Sequence, residues 1–263
     1  MAPFVRVENL TKIYGRTNEA FAGIKEVSFE VNEGEFLGVI GRSGCGKTTL
    51  LRCIAGFESP DGGKILLDGK SVSRPGPDRF MISQGLDQLF PWLSLKGNIV
   101  FAMKTVNKRV AIKELQRKAE YYLELVGLSE WGDYYPYQLS GGMKQRAFLA
   151  RALSVNPRVL LLDEPFGSLD ALGRKAMQDL LLQLWGKTGT TIILVTHDID
   201  ECIRLSDRIL VFTKGTLRHT LLNPLTRPRE YDDLAYREFY RKLSRILERD
   251  KIMNLTWADA VLR

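Results

Sequence analysis

Several things are scarce in this chain of 263 residues, and each scarcity excludes something. Three cysteines, Cys45, Cys53 and Cys202, are an odd number, spaced neither as a zinc site nor as a disulfide framework. The expected setting is therefore a reducing, cytosolic one. No run of eighteen apolar residues occurs; the longest stretches, such as TIILV at 191–195, are strand-sized, which argues against a membrane span. The opening MAPFVRVENL lacks a basic segment followed by an apolar one, so no secretory signal is read there. Internal repeats and low-complexity tracts are absent, and only two histidines, His197 and His219, offer an imidazole.

What is present is an ordinary globular composition, 44% hydrophobic and 26% charged, with a formal net charge of +7. A positive balance is compatible with an anionic partner, although solvated helix faces are the simpler account. One segment concentrates it: residues 104–118 carry Lys104, Lys108, Arg109, Lys113, Arg117 and Lys118 against Glu114 alone.

Periodicity predicts strands first. EVSFEV alternates, with Val27, Phe29 and Val31 on one face, and EFLGVIG reads as a buried strand. A glycine loop follows, and then Leu50, Leu51, Ile54 and Ala55 at helical spacing up to Gly56. Between 96 and 156 the character turns helical. Ile112, Leu115, Ala119, Tyr122, Leu123 and Val126 form one stripe that stops at Gly127. The α/β pattern resumes with RVLLLDEP as a strand, 169–185 as a helix and TTIILVTHD as a strand. RILVFTKGTLRHTL reads as a hairpin turning at Lys214-Gly215. A charged helical tail from 231 to 262 carries Leu234, Phe239, Leu243, Ile246 and Leu247 roughly on one stripe.

The chemistry-bearing motifs sit at the strand ends. Gly41, Gly46, Lys47 and Thr48 satisfy G-x-x-x-x-G-K-[ST], a loop whose backbone N–H groups cradle phosphate. Lys47 adds a point charge, the following helix its positive end, and Thr48 a hydroxyl for Mg²⁺. The loop as a whole, Gly41, Arg42, Ser43, Gly44, Cys45, Gly46, Lys47, Thr48 and Thr49, is the predicted ATP contact. Cys45 lies among inward N–H groups beside Lys47, which predicts a lowered thiol pKa; the alternative is a cysteine that merely fills a small-residue slot. VLLLDE ends a strand in Asp163, a predicted Mg²⁺ partner through water, and Glu164, a predicted acceptor for the proton of attacking water. LSGGMKQR begins a helix with Ser140, Gly141 and Gly142, a second anion-binding terminus. One nucleotide has a single triphosphate, so a head-to-tail dimer is the economical use of two such termini.

In that order and spacing GRSGCGKT, LSGGMKQR, LLLDEP, SLDA and VTHD resemble the ATPase subunit of ABC transporters, over residues 4 to about 218. The resemblance implies an α/β P-loop NTPase core with an N-terminal antiparallel β subdomain and an inserted α-helical subdomain. It places an ATPase domain at 1–230, its helical insert at about 90–156, and a helical C-terminal extension at 231–263. It also implies roles that spacing alone does not. Tyr14 in KIYG matches the aromatic stacked on adenine. Gln84 matches the glutamine that senses Mg²⁺ and attacking water, though Ser83 stands before it where the family has phenylalanine. Asp170 matches the loop crossing the dimer interface, and His197 the switch histidine at the γ-phosphate. With Glu164 and His197 both present, the resemblance implies a competent hydrolase.

Non-transport relatives fit less well. Chromosome-maintenance members place a long coiled coil where this chain has 90 residues, and translation-associated members carry two cassettes where this one has one. No role on nucleic acid is expected. SRPGPDR, DQLFPW and RPRE resemble the subfamily importing nitrate, sulfonates, taurine and related solutes, which includes importers of bicarbonate and vitamin precursors. The implied partners are separate membrane permease subunits gripping a groove near Gln84 and Pro91-Trp92, a substrate-binding protein acting through them, and a second ATPase subunit. The implied location is peripheral, on the cytoplasmic face of the inner membrane, with residues 104–118 against anionic lipid.

Overall fold

In the computed structural model, residues 3–15, 21–83 and 88–261 are described, with side chains of 250–261 and Phe21 left aside. The chain divides into two compact units, Met1–Arg74 with Ile193–Arg263, and Pro75–Ile192.

The first unit opens with β1 (Val5–Tyr14), β2 (Phe21–Val31) and β3 (Phe36–Gly41), followed by α1 (Lys47–Ala55), β4 (Gly62–Leu67) and β5 (Lys70–Ser71). An antiparallel sheet in the order β2-β1-β4-β5 results. Val27, Phe29 and Val31 face inward as their alternation predicts. On β1, Val5 and Val7 are inside, and the next inward residue is Leu10, out of strict alternation. The register slips between Val7 and Leu10, where Asn9 takes φ 46. This bulge is pinned by Ser28, whose Oγ accepts from the Asn9 N–H at 2.8 Å and donates to Asn9 Oδ1 at 3.1 Å.

The second unit contains β6 (Arg79–Ile82), α2 (Leu95–Val106), α3 (Ile112–Leu125), α4 (Gly141–Ser154), β7 (Val159–Asp163) and α5 (Ala171–Thr188). β6 and β7 pair in parallel, and α2, α3 and α4 pack on one another. The stripe of α3 buries Leu115, Ala119 and Leu123; Ile112, at its first turn, is instead 49% exposed. Asn98 is a fully buried polar side chain at the centre of the helices. Its Nδ2 donates to the carbonyls of Phe90, Leu93 and Ser94, and its Oδ1 accepts from the Phe90 N–H at 2.8 Å. The guanidinium of Arg151 lies over the Phe90 and Phe148 rings, 4.8 and 4.9 Å from their centroids.

The division between units falls inside β8 (Thr191–Thr196), after which the first unit resumes with α6 (Ile199–Leu205), β9 (Arg208–Thr213), β10 (Thr216–Leu222) and α7 (Leu234–Val261). β3 is wholly buried and pairs in parallel with β9, as its unbroken apolar run requires. β9 and β10 form the expected hairpin, with Lys214 at φ 47 and Gly215 at φ 75. Two consecutive left-handed residues are the signature of a type I′ turn. α7 buries Tyr236, Phe239 and Leu243 against Ile40, Cys202, Ile203, Ile209 and Val211. Leu234 does not belong to that stripe: it opens the helix, is 67% exposed, and Tyr236 takes the inward place.

Candidate functional site

The glycine loop joins β3 to α1 in the first unit. Gly46 is the N-cap of α1 at φ 105, with no side-chain cap and no acidic residue in the first turn. The leading N–H groups of that helix are therefore left for an anion. Two glycines are dictated by close approach. A Cβ on Gly46 would come within 2.1 Å of the Gly23 carbonyl oxygen, and one on Gly41 within 2.3 Å of the Phe212 carbonyl oxygen. Gly44, at φ 76, borders open space, so its missing side chain leaves the mouth of the loop clear. Lys47 is only 4% exposed; its Nζ donates to the carbonyls of Gly41 at 2.7 Å and Arg42 at 3.0 Å. An ammonium has three N–H donors, so a third is available to a ligand. The hairpin turn supports the loop from behind: the Gly215 N–H donates to the Cys45 carbonyl at 2.8 Å, and the Gly215 carbonyl accepts from Lys25 at 2.7 Å.

Two further residues of this unit matter. The Tyr14 hydroxyl donates to Glu58 and lies 3.3 Å from Thr49 Oγ1, which anchors the ring at its far end. Its edge sits close over Gly23, where a Cβ would meet Cε2 at 2.7 Å. Burial, and then the Glu58 carboxylate, push the phenol pKa up. His197 is exposed in the two-residue link between β8 and α6. Behind it, Thr196 Oγ1 accepts from the Asp198 N–H at 3.0 Å, and the Asp198 carboxylate caps α6 by accepting from the N–H groups of Asp200 and Glu201.

In the second unit β7 ends in Asp163, 2% exposed. Glu164 follows at φ 47, a left-handed conformation that a glutamate adopts at a cost of about 1 kcal/mol or more. Ser140 is the N-cap of α4 and accepts from the Met143 N–H at 3.4 Å, with Gly141 and Gly142 opening the helix. Gln145 was not singled out from the sequence, yet its Nε2 ties α4 to the loop after Glu164. It donates to the Pro165 carbonyl and to Ser168 Oγ, both at 3.0 Å. Glu164, Gln145, Lys144 and Ser168 line one cavity of about 220 Å³. Asp170 caps α5, accepting from the Gly173 N–H at 2.7 Å. Gln84 lies outside the described residues.

A family model described as ABC transporter matches residues 24–167, more than half of the chain. This chain belongs to the ABC transporter family. The cassette is 41% identical to the nitrate import ATP-binding protein NrtD of Synechococcus elongatus, over 91% of the chain and 88% of that protein. It is also 41% identical to the bicarbonate transport ATP-binding protein CmpD of a Synechocystis strain, over 91% of the chain and 86% of that protein. The dimeric ATP-binding cassette MJ0796, solved in a post-hydrolysis state with ADP and phosphate, superimposes with a TM-score of 0.75 at 28% identity. The match covers 84% of this chain and all of that one. The α/β fold and the ATPase activity follow from membership.

Among the described residues of the cassette, no group of three or more His, Cys, Asp and Glu side chains is gathered as a metal site. Mg²⁺ keeps its waters and takes one or two protein oxygens plus phosphate. A threonine hydroxyl and a carboxylate are donors of that kind.

Cys45 departs from expectation. It is 9% exposed, and burial pushes its thiol pKa up; the charge of Lys47 opposes that shift without cancelling it. Position beside a helix N-terminus lowers a thiol pKa only while the sulfur stays solvated, and this sulfur faces Gly41. Burial raises Cys53 to about 12 and raises Cys202 as well. A raised thiol pKa means a smaller thiolate fraction at neutral pH. Iodoacetamide labelling of Cys45, read by peptide mass spectrometry, is therefore expected to be slow at pH 7.5 and to climb about tenfold per pH unit to at least pH 9. Bound ATP should suppress it. A plateau below pH 8 would show a lowered pKa and contradict the assignment.

Proposed function

We propose that this chain is the ATP-hydrolysing subunit of an importer, working with separate membrane permease subunits and a substrate-binding protein to take up a small solute. The carrying observation is the buried Lys47 ammonium in an uncapped glycine loop, within a chain that also holds Glu164 on a left-handed backbone after a buried aspartate. Relatives named for nitrate and for bicarbonate import support a small inorganic anion as cargo, with sulfonates, taurine and vitamin precursors as the wider range. The ATPase does not select that cargo; the membrane and binding subunits do.

In this reading residues 1–230 are the ATPase domain, about 90–156 its helical insert, and 231–263 the extension. Gly41 to Thr49 hold the phosphates, with Lys47 supplying charge, and Tyr14 stacks on the adenine. Thr48 and Asp163 offer oxygens to Mg²⁺, joined by Gln84. The metal, when bound, neutralises phosphate charge. Glu164 takes the proton of the attacking water, and His197 contacts the γ-phosphate. Ser140, Gly141 and Gly142 present their helix terminus to the nucleotide of a second ATPase subunit, with Asp170 at that interface; the dimeric state of MJ0796 supports this arrangement. The site of work is the cytoplasmic face of the membrane, and the chain acts there without spanning it; no described helix is long and apolar enough to cross.

Residues 104–118 suit an anionic lipid surface. All six of the cations are exposed, and among the described residues only Lys118 is paired, with Glu114 at 2.8 Å. Each contributes about 1 kcal/mol near headgroups. Reversing Lys108, Arg109 and Lys113 to Glu should weaken binding to phosphatidylglycerol vesicles, with the wild-type advantage fading as salt rises. Equal binding by both proteins across salt would refute the lipid contact. The hydrolysis reading is tested by Glu164→Gln: turnover should fall at least about 100-fold while ATP is retained and a dimer accumulates on a sizing column. Wild-type turnover by that variant would remove Glu164 from the role.

A further inference from the structure

The position of His197 is tied to its two flanking elements. The side chain is exposed, and the backbone is suspended between the end of β8 and the first turn of α6. β8 is wholly buried and therefore fixed. The other anchor, α6, is only seven residues long, too short to be stable without tertiary support. Whatever seats α6 therefore bears on where the link carrying His197 stands.

Both ends of α6 are held by the segment that follows the hairpin. At the N-terminal end, the Tyr236 hydroxyl of α7 donates to Asp200 Oδ1 at 2.8 Å. Asp200 stands three residues beyond His197 and in the turn that Asp198 caps. At the C-terminal end, the buried Arg229 guanidinium donates to the carbonyls of Ile203 at 2.8 Å, Arg204 at 3.2 Å and Ser206 at 2.8 Å. Ile203 and Arg204 belong to the last turn, whose carbonyls a helix leaves without intrahelical partners, and Ser206 is the C-cap. Asn223 Nδ2 adds donors to Ile203 and Ser206 at 2.7 and 2.9 Å. Between the two ends, Ile203 and Cys202 pack directly against Tyr236, Phe239 and Leu243. Tyr231 completes the grip, its ring 5.2 Å from that of Tyr236 and 6.0 Å beneath the Arg204 guanidinium.

We propose that Tyr236 and Arg229 are positioning residues for His197, acting through α6, so that the C-terminal extension, through Tyr236, helps to set the γ-phosphate contact. The inference rests on the reading of His197 as that contact. It assigns the extension a part in turnover in addition to its packing, because a clamp on both ends of a short helix limits where the preceding loop can go.

The chain has two histidines, so a histidine-ring-labelled sample gives a spectrum with two imidazole signals, and His219→Gln identifies which is which. Tyr236→Phe keeps the ring in the core and removes only the hydroxyl. In the full-length chain it should shift the His197 signal, leave the His219 signal in place, and lower kcat for ATP by about three- to tenfold with KM within about twofold, the scale of one lost hydrogen bond. Asp200→Ala should behave the same way, and Asp200→Asn, which keeps an acceptor oxygen, should retain wild-type turnover. An unchanged His197 signal overturns the proposal whatever happens to kcat, because any loss then arrives by another route. A shifted signal with wild-type kcat leaves the clamp standing and refutes His197 as a group that turnover needs. An unaltered His219 signal throughout shows that the variants remain folded.

Discussion

A lysine ammonium withdrawn from water needs compensation, and at Lys47 that compensation shapes the loop. Its two backbone acceptors, Gly41 and Arg42, lie at the mouth of the loop, so the cation draws the chain around itself before any ligand arrives. An unpaired buried charge would be costly, and two carbonyls satisfy only part of it. In the proposed function a nucleotide phosphate supplies the rest. Much of the surrounding structure follows from this need: the glycines that let backbone pass close by, the buried β3 strand that carries the loop, and the hairpin turn whose Gly215 N–H holds the Cys45 carbonyl.

The same economy governs the second unit. A carboxylate at the end of a buried strand is expensive unless it is hydrogen-bonded or paired, and Asp163 is nearly inaccessible. Glu164 then turns onto a left-handed backbone, a strained conformation of the kind that persists where function requires it. Gln145 bridges from α4 to the loop that Glu164 begins through two hydrogen bonds. No spacing rule in the sequence marks that link.

Much of the fold was legible because its periodicities are local. β3, α1, α3 and the hairpin at Lys214-Gly215 stand where pattern and turn chemistry put them. The failures share a cause, which is that they depend on tertiary surroundings. Leu234 fits the α7 stripe by spacing, yet it lies at the helix start beyond the surface it would cover, and Tyr236 is what reaches the core. Ile112 is exposed for the same reason at the start of α3. Cys45 is next to a cation and a helix terminus in sequence, but the folded chain buries its sulfur, and desolvation outweighs both. The bulge at Asn9 and the grip of Tyr236 on Asp200 join residues 19 and 36 positions apart, where no local pattern reaches.

The central claim is that a preformed, buried cation in the glycine loop binds nucleotide phosphate. Equilibrium dialysis of Mg·ATP against the wild-type chain and Lys47→Met tests it most directly, with circular dichroism confirming that the variant keeps its fold. Losing a charge-assisted hydrogen bond of about 1.5–3 kcal/mol predicts an affinity lower by roughly one to two orders of magnitude. Equal affinity for the two proteins would contradict the claim and require the phosphates to be held elsewhere.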